Sequence, residues 1–236
     1  MEFDLLYQHR DFIIIYKPCG VSVHKDQETI GLTTQLANQL GVAQVWLVHR
    51  LDKVTSGLLI LALNAESAAE FSRLFAEHRI HKTYLALSFQ KPKKKQGLII
   101  GDMKKARNGA WKLCQSKENP AITRFESLSC EPNLRLFFLK PQTGKTHQLR
   151  VAMKSLGSPI LGDELYGKNT PKMDRTYLHA ARLEFEFHGK KFDVVVMPKE
   201  GDWWQKDSVK MKINASPFFR KRENPCIIPT IFVTRN

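Results

Sequence analysis

The chain has 236 residues, with 37 Lys plus Arg against 23 Asp plus Glu and a formal net charge of +14. That length suits one domain or two small ones, and 42% apolar with 10% aromatic residues suffices for a core, which excludes a disordered or collagen-like chain. A sequence pI near 9.7 calls for a polyanionic partner, nucleic acid ahead of an anionic membrane, because Lys and Arg that neutralise phosphates release condensed counterions. The acidic start Met1-Glu2-Phe3-Asp4 is unlike a signal peptide, and apolar runs such as Gly57 to Leu63 fall far short of the roughly 18 residues of a membrane span. The expectation is a cytoplasmic protein without a membrane partner. Cys19, Cys114, Cys130 and Cys226 lie far apart with no Cys-x-x-Cys pair, so they read as reduced thiols rather than as a zinc knuckle or a disulfide scaffold.

In chain order, Phe12 to Tyr16 is a β-branched run closed by Lys17-Pro18-Cys19-Gly20, a buried strand entering a turn. Leu58 to Leu63 is a second strand. Asn64 then caps a helix from Ala65 to about Glu77, with Ala68, Phe71, Leu74 and Phe75 at helical spacing. Strand-like stretches follow at Thr83 to Leu87, Ile122 to Leu128, Leu134 to Leu139, Leu183 to Phe187 and Phe192 to Val196. Thr146 is placed to cap a helix whose apolar face is Leu149, Ala152, Met153 and Leu156. Strands come in runs rather than alternating with helices, which predicts an α+β fold with a largely antiparallel sheet. Two segments stand apart from this texture. The loop Lys91 to Gly97 and the basic stretch Asp207 to Asn236, which carries Pro217, Pro225 and Pro229, read either as solvated surface or as part of a polyanion footprint.

Several chemical motifs are excluded by their spacing. Gly144-Lys145-Thr146 ends like a phosphate-binding loop, but the glycine required five residues before Gly144 is Leu139. His78 and His81 have no third ligand nearby and read as surface histidines, and no Gly-x-Ser-x-Gly elbow is present. What remains is His49-Arg50-Leu51-Asp52-Lys53-Val54-Thr55-Ser56-Gly57, a polar stretch between two apolar runs. Cations flanking Asp52 favour its ionised form and Thr55 and Ser56 can order the loop, so Asp52 is a candidate nucleophile or base. On these residues alone a turn former or a salt-bridge partner is the commoner role.

The stretch His49-Arg50-Leu51-Asp52 with Thr55-Ser56-Gly57-Leu58 resembles the catalytic motif of RluA-type pseudouridine synthases. Lys17-Pro18-Cys19-Gly20 with Val23-His24, then Lys82-Thr83-Tyr84-Leu85-Ala86, then Gly144-Lys145-Thr146-His147-Gln148-Leu149-Arg150 match in the expected order. Ala121-Ile122-Thr123, Gly162-Asp163-Glu164-Leu165-Tyr166-Gly167 and Leu178-His179-Ala180 extend the likeness over roughly residues 3 to 198. Two departures are visible: Lys145 stands where the family has Arg, and Ala152-Met153 where a His is common. The resemblance covers the catalytic domain only, so the small separate RNA-binding domain that many relatives carry is not expected before Phe3.

The resemblance implies a mixed, largely antiparallel sheet flanked by helices, with a central active-site cleft, in a catalytic domain over 1–205 followed by a basic extension over 206–236. It implies isomerisation of uridines in rRNA or tRNA by a monomer that needs no cofactor and no metal. By matching position, Asp52 would act on the sugar, by attack on the anomeric carbon or removal of a 2′ proton, an older proposal having it attack the pyrimidine ring. Arg150 would pair with Asp52, Tyr84 would stack on the uracil, and Arg50 would fill the gap left by the extruded uridine. His49, Lys145, His147, Gln148 and Leu178 complete the implied RNA-binding set. Two other classes fit parts of the sequence: a non-catalytic RNA-binding protein explains the charge, and a nucleoside N-glycosylase or retaining glycosidase would also place a carboxylate near a sugar, although a retaining glycosidase needs a second one.

Overall fold

The computed structural model describes residues 2–23, 30–167 and 172–219, together with the backbone of 231–232. His24 and the basic residues Arg220, Lys221 and Arg222 of the expected extension lie outside the described residues, as do Pro225, Cys226 and Pro229. In chain order the elements are β1 (Asp4–Gln8), β2 (Phe12–Lys17), α1 (Leu32–Leu40), β3 (Trp46–Leu47), β4 (Ser56–Ala62), α2 (Ala65–Ala76), β5 (His81–Ser88), β6 (Gln96–Gly101), β7 (Met103–Lys105) and β8 (Trp111–Leu113). They continue with β9 (Ala121–Glu131), β10 (Leu134–Pro141), α3 (Gln148–Ser155), β11 (Leu178–Phe187), β12 (Lys190–Val195), α4 (Asp202–Gln205), α5 (Asp207–Ala215) and β13 (Ile231–Phe232).

One mixed sheet runs in the order β1-β2-β4-β11-β5-β10-β9-β6, with β3 beside β4 and β12 beside β11, and β7 and β8 form a separate hairpin. All pairs are antiparallel except β4 with β11 and β12 with β13, so the expected α+β fold with a largely antiparallel sheet is what forms. The strands are buried because both faces are covered. Side chains alternate between faces, so Ile13, Ile15, Leu59, Leu61, Tyr84, Phe137 and Leu139 share one face with the buried sides of α1 and α3. On the opposite face, Phe12, Ile14, Leu58 and Ile60 meet Phe71 and Leu74 of α2, while Leu85, Leu87, Leu136 and Phe138 meet Trp204, Val209 and Ile213 of α4 and α5.

Local chemistry sets the boundaries. Asn64 caps α2 by accepting a hydrogen bond from the Ser67 N–H at 2.8 Å, and Arg73 pairs with Glu70 and Glu77 along the exposed side. Gly57 has φ of 114°, and a Cβ there would lie 2.2 Å from the Ala180 carbonyl oxygen, so only glycine lets β4 approach β11 at their parallel pairing.

Two expectations are corrected. Thr146 does not cap α3: His147 occupies the cap position at φ 55°, without a side-chain cap, and the loop is ordered instead by Gln148. The chain beyond Lys206 is not a solvated extension from its start. Asp207 to Ala215 is helical, and Val209, Ile213 and Phe219 join the apolar cluster behind β10, because their burial outweighs the charge of the intervening lysines.

Candidate active site

Asp52 sits in the turn that leads from β3 into β4, closed by the Thr55 N–H donating to the Asp52 carbonyl at 2.9 Å. Leu51 anchors the turn in the core, at 4% exposure, and leaves Asp52 at the surface of a pocket. The turn is fastened from the side by the residues after β2. The Gly20 N–H donates to the Lys53 carbonyl at 2.8 Å, and the Cys19 thiol donates to the Val54 carbonyl at 3.2 Å. The buried Lys17 ammonium donates to Pro18, Val21 and Lys53 carbonyls at 2.8, 2.7 and 3.3 Å. Burial lowers the Lys17 pKa to about 7. Three carbonyl acceptors are what the three N–H bonds of the protonated form satisfy together.

The pocket gathers Arg50, Asp52, Tyr84, Lys145, His147, Gln148 and Leu178 from four separate stretches of chain, seven of the nine residues singled out in the sequence. Arg150 lies behind it, at 7% exposure, with Nη1 3.7 Å from Asp52 Oδ2. Its main partner is a different residue. Arg150 Nε and Nη2 donate to the two Asp163 oxygens at 2.7 and 2.9 Å, and the Leu165 and Tyr166 N–H groups also donate to Asp163 Oδ1. Burial works against the Arg150 charge, but the bonds and charge of Asp163, with that of Asp52, raise its pKa. The guanidinium therefore reaches Asp52 already oriented by Asp163. Gly162 lets the chain enter this arrangement, because a Cβ there would lie 1.9 Å from the Arg175 carbonyl oxygen.

Tyr84 projects from β5 at 8% exposure, and Leu178 of β11 is 2% exposed. Burial, and then the nearby Asp52 charge, raise the Tyr84 pKa, so its hydroxyl stays protonated. His147 Nδ1 is 2.9 Å from the Tyr166 hydroxyl, which accepts the Trp111 N–H at 2.9 Å and is therefore free to donate to the imidazole. Burial lowers the His147 pKa, which favours that neutral ring, while Asp52 acts in the opposite sense. Gln148 is spent on structure: its oxygen accepts from Thr143 Oγ1 and the Lys145 N–H, and its nitrogen donates to the Ile122 carbonyl and Thr123 Oγ1. Lys145 reaches Asn119 Oδ1 at 2.6 Å.

His49 is not brought into the pocket. Its Nε2 accepts the Ile60 N–H at 2.9 Å and its ring stacks on Phe75 at 4.7 Å, so it holds the turn against β4 and α2. Burial pushes its pKa down to about 3 and keeps it neutral. His78 and His81 stand at the end of α2 and the start of β5, and no three His, Cys, Asp or Glu side chains cluster as a metal site among the described residues. Sequence reasoning missed Asp163, Tyr166 and Lys17 as parts of the site. All three fall in quoted motifs, but only the fold puts Asp163 against Arg150. No described helix is long and apolar enough to cross a membrane.

A family model described as RNA pseudouridylate synthase matches residues 11–155. The chain is 73% identical over 224 residues to an uncharacterized RNA pseudouridine synthase of Haemophilus influenzae, covering 94% of this chain and 100% of that one. It is 38% identical over 188 residues to the ribosomal large subunit pseudouridine synthase C of Rickettsia bellii, covering 76% of this chain and 62% of the relative. The solved structure of human RNA Pseudouridylate Synthase Domain Containing 4 shares the fold, with a TM-score of 0.70 at 24% identity over 85% of this chain and 90% of that one. With the family model covering more than half of the chain and a relative matching nearly all of it, the chain belongs to the RNA pseudouridine synthase family.

Proposed function

We propose that Asp52 carries out the isomerisation of uridine to pseudouridine in this chain, on a uridine extruded from the RNA into the pocket beside Tyr84. The observation that carries this reading is the Asp52 carboxylate at the pocket surface, 3.7 Å from a guanidinium whose other nitrogens are bound to Asp163. Arg150 favours the ionised form that either sugar route needs. By one route Asp52 attacks C1′ as the C1′–N1 bond breaks; by the other it removes the 2′ proton and a glycal forms. The base then turns and C5 bonds to C1′, displacing the Asp52 carboxylate in the first route and with Asp52 returning its proton to C2′ in the second; the C5 proton leaves to solvent and N1 is protonated, so the product is an isomer of the starting nucleotide.

The remaining side chains divide the work of holding a detached base. The Tyr84 ring and the Leu178 side chain give it apolar surface, with the protonated Tyr84 hydroxyl available as a donor. Arg50, exposed at the pocket rim, fills the space that the uridine vacates, where extrusion costs a few kcal/mol and least in loops. The Rickettsia relative's name points to large-subunit rRNA as the first substrate to offer, with tRNA as the second.

The test is release of tritium from RNA labelled at C5 of uridine. Isomerisation releases one tritium per pseudouridine formed. Free uracil without tritium release would point to an N-glycosylase, and binding with neither product to a non-catalytic RNA-binding protein.

A further inference from the structure

Lys82 stands where two depressions meet. It lines the catalytic pocket together with Asp52 and Tyr84, and it also lines the larger depression beside that pocket. Lys82 and Tyr84 lie two residues apart on β5, which sends both side chains to one side of the strand and spaces their Cα atoms by roughly 7 Å. That spacing is close to the reach from a base to the phosphate of its own nucleotide.

The charge of Lys82 has no counterpart among the described residues. Its ammonium makes no hydrogen bond and no ion pair with any of them, and lies 5.8 Å from the centroid of the Phe75 ring, near the limit of a cation–π contact. His49, which stacks on that same ring, is neutral, and Asp52 faces Arg150. Glu184, the acidic side chain lining the larger depression, is bound by Arg182 at 3.2 Å. Burial lowers the Lys82 pKa, and no charge or hydrogen bond of these residues acts in the opposite sense. The fold gains nothing from such a cation, since a methionine would pack against Phe75 without the cost of desolvating a charge. The charge therefore suits an anion brought by the substrate. A uracil ring beside Tyr84 is neutral until its glycosidic bond breaks, whereas RNA phosphates are charged throughout, and an ammonium meets a phosphate as a compact point charge with three donors.

We infer that Lys82 binds a phosphate flanking the target uridine while Tyr84 holds the base. This deepens the proposed function and rests on it.

The test compares the full wild-type chain with Lys82→Met and Lys82→Arg. Affinity for a labelled heptauridylate is measured across a salt series, alongside tritium release from transcribed large-subunit rRNA. Lys82→Met should bind roughly tenfold more weakly, as expected for loss of a hydrogen bond to a charged group. Its slope of log affinity against log salt should fall by about 0.7, the value for one phosphate contact on a single strand. In tritium release the loss should fall on KM and not on the saturated rate. Lys82→Arg keeps the charge and should keep the wild-type slope. Removing an unpartnered cation should leave the melting temperature of Lys82→Met unchanged or higher, so misfolding would not mimic the result. Unchanged heptauridylate affinity and slope in Lys82→Met would overturn the inference; joined to a lower saturated rate, they would move the cation to the departing base. A slope lowered equally in Lys82→Arg would also overturn it, because the loss would then not be one of charge. If the heptauridylate results follow expectation while no RNA releases tritium, the phosphate contact stands and the isomerase reading falls.

Discussion

Asp52 and Asp163 both contact the Arg150 guanidinium, and the protein holds them in different ways. The Asp163 side chain has no exposed surface, binds Arg150 through two hydrogen bonds and accepts two backbone N–H groups besides. Asp52 is 18% exposed and meets the same cation at 3.7 Å, beyond hydrogen-bond length. A buried, fully committed carboxylate orients its partner but cannot reach a substrate. A carboxylate held by charge alone, at the edge of a pocket, keeps its lone pairs available. The contrast gives Asp163 a structural place and leaves Asp52 open to substrate, as the proposed function requires, although both are Asp in short polar motifs.

The largest expected effect tests the chemical half of that contrast. Asp52→Asn keeps the shape and removes the charge, and should lower tritium release at least about 10³-fold, equivalent to about 4 kcal/mol of barrier. RNA affinity and thermal stability should stay near wild type; a residual rate within tenfold would falsify the assignment. Asp163→Asn should act on the fold instead. It leaves a buried guanidinium without its carboxylate, and urea unfolding should show a loss of about 3–5 kcal/mol. If the Asp163 variant were as stable as wild type and the Asp52 variant the unstable one, the two roles would have to be exchanged.

Tyr84 sharpens the picture of the pocket itself. Tyr84→Phe should keep RNA binding and lose rate if the hydroxyl donates a proton, while Tyr84→Leu should lose binding as well, because the stacking face is gone. Equal, wild-type kinetics for both would remove Tyr84 from the base-binding surface.

The smallest effect concerns the support behind the Asp52 turn. His179 has no exposed surface; its Nε2 donates to the Val196 carbonyl, so Nδ1 accepts from Ser56 Oγ, which in turn accepts from Arg175. Burial pushes its pKa down to about 3, from an ordinary 6.5. The unfolded chain therefore binds a proton below about pH 6.5 that the folded one refuses, and stability falls as pH drops from 6.5 towards 3. Between pH 7.5 and 5.5 this single group should cost about 1.4 kcal/mol. His179→Asn, which keeps an acceptor for Ser56 and cannot titrate, should flatten that part of the stability profile. An undiminished acid dependence in the variant would show that other groups carry it.

The sequence alone determined most of the strands, because the fully buried β2 and β4 are written as apolar runs and the capped α2 as a run at helical spacing. It also determined Asp52, Tyr84, Arg50 and Arg150 as site candidates, through motifs whose order along the chain survives any arrangement in space. It did not determine β1, α1 or the hairpin of β7 and β8, which are short and weakly patterned and are stabilised by what they pack against. Nor did it reveal α5, whose lysines mask the buried Val209 and Ile213. The division of labour between Asp52 and Asp163, the withdrawal of His49 into the structure and the placing of Lys82 where two depressions meet were decided only by tertiary structure. Each depends on which residues distant in the chain become neighbours, and on how much water burial then removes from their charges. Local composition carries neither quantity.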